Sequence, residues 1–239
     1  MPLLFFLSAF IAEIIGTTAG FGSSTVFLPL ALFFYDFKTS LVLVAILHIF
    51  GNIGRISFFR HGLDKSLLFT FGVPSVLLTL VGALLIPYLP QTTLKGILGI
   101  FLALYTLLFL WKEKVVAPPT VQNAVIGGGL SGFLAGFIGT GGALRGAFLT
   151  AFGVPKEQYI ATSAAIALAV DATRIPVYLT QGFLNKEFYW FIPVLFAIAF
   201  SGSYAGKRIV KKIPKKQFRR LVLVAILLIG LKFILEWIL

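Results

Sequence analysis

Long apolar runs alternate with short polar joints along this chain, and the runs have helical length. They cover residues 39–59, 66–88 and 93–111, and again 157–180, 187–208 and 217–238. Each is close to the roughly 20 residues a helix needs to cross a hydrocarbon core of about 30 Å. Ahead of each triplet lies an apolar run that glycines and hydroxyls interrupt: residues 3–35, with "TTAGFGSSTVFLP" at 17–29, and residues 121–154, with "AGFIGTGGALRGAFL" at 135–149. At about 35 residues, such a run holds two helices only if each is about 17 long, the short limit for crossing, so a helical hairpin is expected, fully crossing or re-entrant.

The two sets are copies of one pattern. A shift of 119 pairs Gly20 with Gly139, Gly22 with Gly141, Asn52 with Asp171 and Arg55 with Arg174. Between the sets, "WKEKVVAPPTVQN" at 111–123 joins charge to Pro118 and Pro119, which stop a helix and suit an exposed linker. The expected organisation is one membrane domain of two repeats, residues 1–115 and 116–239, each a glycine-broken hairpin followed by three transmembrane helices.

Composition agrees with a protein that lives in a lipid bilayer. Hydrophobic residues make up 59% of the chain and charged ones 12%, a balance that water could not surround. The formal charge of +12 does not point to nucleic acid. Its largest cluster, Lys207, Arg208, Lys211, Lys212, Lys215, Lys216, Arg219 and Arg220, is a short joint between apolar runs, the signature of a cytoplasmic loop. Cysteine is absent, which excludes disulfides and thiolate chemistry, and His48 and His61 have no metal-ligand spacing. The start, with Glu13 and no basic n-region, reads as part of the fold and not as a cleaved signal.

The basic joints also set orientation. The joint at 207–220 is expected in the cytoplasm, as are the first-half joints with Arg60 and Lys65 and with Lys112 and Lys114. The joints at 88–95 and 181–187 carry few cations and are expected outside. Corresponding joints therefore face opposite sides, and the fold class that follows is an all-α integral membrane protein with two inverted-topology repeats.

Inverted repeats with broken helices recur in transporters, where half-helix ends meet near the midplane and build the substrate site. Gly20, Gly22, Gly139, Gly141 and Gly142 free the backbone to turn and expose N–H groups, and Ser23, Ser24 and Thr140 add hydroxyls. A helix that starts just after each break aims its positive end at the cavity, which suits a small anion. The same glycines also suit close helix packing. Six ionisable residues interrupt the apolar runs: Glu13, His48, Arg55, Arg145, Asp171 and Arg174. Each costs free energy in lipid and is a functional candidate. Asp171 and Arg174 share a helix face and can pair or open to an anion, and Asn52 and Arg55 repeat the spacing without the carboxylate. Both arginines also suit snorkelling to headgroups. Arg145 either adds a cation at the second break, lines a polar seam or pairs with Glu13. Glu13 and His48 are the candidates for coupling to a proton gradient, and each equally suits a structural hydrogen bond.

"AGFGSSTVFLPLALFF", "AGFIGTGGALRGAFLTAFGVP" and "IATSAAIALAVDATRIPVYLTQG" resemble the motifs of the sulfite exporter TauE/SafE family. The similarity spans both halves, although the first has "KTSLVLVAILHIF" in place of the Ala-Thr-Ser start. The resemblance implies transport of sulfite, an organosulfonate or a related sulfur-containing anion by alternating access, in the cell's inner membrane. It leaves open proton or sodium coupling and homo-oligomer formation. A passive anion channel would use the same half-helix ends. An enzyme is not expected, because no nucleophile triad, paired aspartates or H-E-x-x-H motif occurs. "GTGGALRG" lacks the Gly-Lys-Ser/Thr of a phosphate-binding loop, and no cofactor motif is present.

Overall fold

The structure is a computed structural model that describes residues 2–19, 22–58, 62–112, 117–209 and 215–239. All regular structure among the described residues is helical. Helices α1 (Pro2–Ala19) and α2 (Ser23–Ala31) flank the first glycine break, and α3 (Phe37–Phe58), α4 (Lys65–Tyr88) and α5 (Gln91–Trp111) follow. Helices α6 (Val121–Phe137) and α7 (Gly142–Ala151) flank the second break, followed by α8 (Lys156–Thr180), α9 (Phe191–Ile209) and α10 (Lys215–Ile238). Six of them, α3, α4, α5, α8, α9 and α10, are long and apolar enough to cross a membrane.

Polar residues in the joints set where the helices start. Asp36 Oδ1 accepts the N–H groups of Lys38 and Thr39 at the head of α3 (3.0 and 3.2 Å). Asp64 accepts Leu67 N–H at the head of α4 (3.0 Å), and Thr120 accepts Asn123 N–H at the head of α6 (3.2 Å). These satisfy amide groups that the first helical turn leaves orphaned. Pro118 and Pro119 stand just ahead of α6.

The broken runs divide unequally. The expectation of two arms of similar length is replaced by a long arm of 18 residues and a short one of 9 in the first run, and 17 and 10 in the second. The physical reason is the close return of the chain after each break. A Cβ on Gly16 would fall 2.3 Å from Ser23 N, and one on Gly141 would fall 1.9 Å from Ser131 O, so each short arm starts partway back along its long arm.

Each long arm packs side by side with a helix of the other half. Phe5 and Phe6 at the head of α1 meet Phe191 at the head of α9 (ring centres 5.6 and 4.8 Å), and Thr17 meets Gly206 near the ends of both. On α6, Gly128, Gly132 and Gly136 lie against the backbone of Phe71, Ser75 and Thr79 on α4, where a Cβ would come within 2.0–2.2 Å of a carbonyl oxygen. Ser75 Oγ and Thr79 Oγ1 donate to the carbonyls of Gly128 and Gly132 (both 2.9 Å), so hydroxyls replace the apolar packing that the glycines give up. Helices α3 and α8 pack on each other, and α5 packs on α10 through Gly99 and Gly230.

Tyr35, ahead of α3, packs on Phe188, ahead of α9 (5.1 Å). Helices α1, α3 and α9 therefore start at one end of the bundle, where Lys95 of α5 pairs with Glu236 of α10. Helix α8 starts at the other end, where Thr162 Oγ1 accepts Asp64 N–H ahead of α4 (2.9 Å) and where α9 finishes in Lys207 and Arg208.

Candidate functional site

The buried acidic and basic side chains among the described residues are Glu13, His48, Arg55, Arg145, Asp171 and Arg174, the same six that interrupt the apolar runs. None of the arginines snorkels. Arg55, Arg145 and Arg174 are 8%, 4% and 1% exposed, so each must find its counter-charge inside the protein or do without.

Two of them find it. Arg55 on α3 donates to Glu13 Oε1 on α1 and to Asn52 Oδ1 (2.9 Å), with longer bonds to Thr17 Oγ1 (3.3 and 3.4 Å). Ser203 Oγ of α9 donates to the same Glu13 oxygen (2.7 Å). Arg174 on α8 holds Asp171 Oδ1 through Nε and Nη2 (2.9 and 2.8 Å). Its Nη1 donates to the carbonyls of Ala135 and Gly139 (2.7 and 2.9 Å). The α6 end is thus tied to α8 by an arginine, and Tyr178 OH adds a bond to Gly136 O (2.7 Å).

Arg145 on α7 finds none. Glu13 is taken by Arg55, so the pairing weighed for it with Arg145 does not form. Among the described residues Arg145 makes no ion pair, and its one side-chain hydrogen bond runs from Nε to Ser163 Oγ (3.0 Å). Its guanidinium lines a cavity of about 60 Å³ together with Gly22, His48, Asn52, Arg55 and Gly142. His48 also turns a polar atom without a partner inward. Its Nδ1 lies 2.8 Å from Asp171 Oδ2, and Nε2, buried and without a hydrogen-bond partner, lies 3.6 Å from where a Cβ on Gly22 would stand.

The breaks meet at this cavity. Gly22 precedes α2 with φ +78°, where an L side chain would be strained, and no side chain caps the helix behind it. Gly141 precedes α7, likewise without a side-chain cap. A Cβ on Gly22 would sit 3.5 Å from Gly142 Cα, and Thr25 and Thr140 share a hydrogen bond (2.8 Å) across the two breaks. Two half-helix heads with orphaned N–H groups thus converge on an unpaired guanidinium, a concentration of positive potential that suits an anion.

Residues 5–233 match the sequence profile of the sulfite exporter TauE/SafE family. The chain belongs to that family. It is also 26% identical to a probable membrane transporter protein of Methanocaldococcus jannaschii, over 92% of this chain and 90% of that one. With six apolar helices of crossing length, this TauE/SafE protein is a multi-pass integral membrane protein of membrane transport.

Of the residues singled out from the sequence, Gly22, His48, Asn52, Arg55, Gly142 and Arg145 line the cavity. Ser23, Ser24, Thr140 and Gly141 belong to the breaks without lining it, and Ser23 Oγ is buried with no hydrogen-bond partner. Glu13, Gly139, Asp171 and Arg174 stand behind the wall in the bonds given above. Gly20 lies outside the described residues. Sequence reasoning passed over Thr17, Tyr159 and Ser163, which also line the cavity. Thr17 and Ser163 sit inside quoted motifs, so polar residues beside the first break and near the start of α8 were the available signal. Tyr159 carried none.

Proposed function

We propose that this protein is a secondary carrier of a small sulfur oxyanion, sulfite first, working by alternating access around the cavity between the two breaks. The observation that carries the reading is Arg145: a buried cation with no counter-ion, facing a cavity at two half-helix heads. Burying such a charge costs several kcal/mol when nothing balances it, and a bound anion offsets that cost. Cavity size favours a compact ligand. Since a water needs about 10–15 Å³ on this measure, the cavity has room for about four to six non-hydrogen atoms, which fits sulfite better than a larger organosulfonate.

Packing supports the inverted repeat. The long arm α1 runs parallel to α9, and α6 runs parallel to α4, its counterpart pairing. The repeat mates Asn52 and Asp171 approach to 3.4 Å, as residues beside a pseudo-twofold axis should. With the basic joints in the cytoplasm, in an inner membrane, the lining residues Thr17, Tyr159 and Ile160 belong to the cytoplasmic half of the cavity. Opposite them, the repeat-related space is filled. Leu41 crowds Gly139, and the Arg174 clasp holds the end of α6. In this reading the clasp is the closed outer gate, and its release opens the site outward.

Counterflow in proteoliposomes tests the proposal. Labelled sulfite uptake should be accelerated by unlabelled sulfite on the opposite side, because a carrier returns faster when loaded. Conductive sulfite flux without that acceleration would replace the carrier by an anion channel.

A further inference from the structure

The buried cluster carries an excess charge, and His48 can change it. Arg55, Arg145 and Arg174 face Glu13 and Asp171, which leaves one net positive charge when His48 is neutral. A monoanion balances that charge. A dianion overshoots it by one, and a second positive charge must then appear beside the cavity or the bound complex is left negative in a low-dielectric setting.

His48 is placed to supply it. Asp171 Oδ1 receives two bonds from Arg174 and Oδ2 lies 2.8 Å from His48 Nδ1, so the carboxylate is ionised and Nδ1 carries a hydrogen. In the neutral ring, Nε2 then holds a bare lone pair beside Gly22 at the cavity wall, which repels an anion's oxygen. Protonated, Nε2 becomes a charge-assisted donor beside Gly22 at the cavity wall. The charged and titratable groups around His48 are Asp171 and Arg174 on α8, Arg55 on α3, Arg145 on α7, and Tyr159 across the cavity. Asn52 Nδ2 stands 3.3 Å from His48 Nδ1. Asp171 alone supports the imidazolium before the ligand arrives, and a dianion adds a second support.

We propose that His48 takes up one proton at Nε2 for each dianion entering the cavity and none for a monoanion, so that sulfite is held as the dianion between an imidazolium and Arg145. This rests on the anion-carrier reading above. Transport of sulfite then moves one proton with each dianion, and a pH gradient drives it.

Calorimetry of the detergent-solubilised protein, in mildly alkaline buffers of different ionisation heat, counts protons taken up on binding. Sulfite, there a dianion, should bind with uptake of about one proton, and methanesulfonate, a monoanion, with about none. His48→Gln keeps a donor of similar reach but cannot be protonated, and it should abolish the uptake with sulfite while weakening binding. Should the variant fail to fold, sulfate decides in the native protein: a dianion that takes up no proton of its own in this range, it should still bind with uptake of about one. Sulfite binding without proton uptake, equal uptake with both anions, or undiminished uptake in His48→Gln would each overturn the inference and leave the anion site standing. Absence of any binding heat would remove the anion site and the inference together.

Discussion

Replacing Arg145 by glutamine should separate affinity from stability, with opposite signs. Arg145 lines the cavity of about 60 Å³, and the proposed site puts the oxyanion in contact with its guanidinium. Two unit charges about 4 Å apart at an effective dielectric of 20 attract by about 4 kcal/mol, an upper limit on what is lost. A hydrogen bond to a charged group is worth about 1.5–3 kcal/mol net. At about 1.4 kcal/mol per decade, the smaller figure gives a roughly ten- to hundredfold loss of sulfite affinity in Arg145→Gln. Stability should move the other way. The arginine is 4% exposed with no ion pair, and its desolvation penalty of several kcal/mol exceeds the one charge-assisted bond to Ser163, worth about 1.5–3 kcal/mol. The ligand-free variant should therefore melt no earlier than the native protein, and its midpoint should respond to sulfite only at ten- to hundredfold higher concentration. Thermal unfolding across a sulfite series measures both. An unchanged concentration dependence, or a ligand-free midpoint several degrees lower, would refute the argument that Arg145 is an unpaired cation kept for an anion.

Other substitutions test the supporting structure. Arg174→Gln leaves Asp171 with half its partners and frees the carbonyls of Ala135 and Gly139, so thermal unfolding should show a loss of roughly 3–5 kcal/mol; Arg174→Lys, a point charge that cannot serve both the carboxylate and the carbonyls, should lose counterflow while losing less stability. Gly132→Val drives a Cβ onto Ser75 O at 2.0 Å and should yield no monodisperse protein on size-exclusion chromatography, while Gly129→Ala, whose nearest neighbour is Leu78 Cγ at 3.7 Å, should behave as native. Reporter fusions after Trp111 and within 207–220 should read cytoplasmic, and one within 181–187 external; the same reading for all three would remove the inverted repeat.

The six crossing helices were legible in the sequence because a bilayer imposes a one-dimensional rule. Backbone groups in lipid must bond within their own helix, so a crossing has a fixed minimum length and an apolar surface, and both are visible residue by residue. The observed limits of α4, α5, α8 and α10 differ from the apolar runs by two residues or fewer at each end. The same rule made the six ionisable residues conspicuous, since each is an exception to it, and all six are buried. Their partners obey no such rule. Glu13 reaches Arg55, 42 residues away, and His48 reaches Asp171, 123 residues away, while Arg145 is left alone. Sequence symmetry paired Arg55 with Arg174 and showed that the first half lacks the carboxylate at the Asp171 position, but not that Arg55 closes on a carboxylate from α1 while Arg174 also holds two carbonyls of the second break. The roles parted because α1 supplies Glu13 where its repeat mate is Gly132. Hydropathy counts the charges that enter the membrane, but only the packing of α1, α3, α7 and α8 around one cavity decides which of them neutralise each other and which one is left for a ligand.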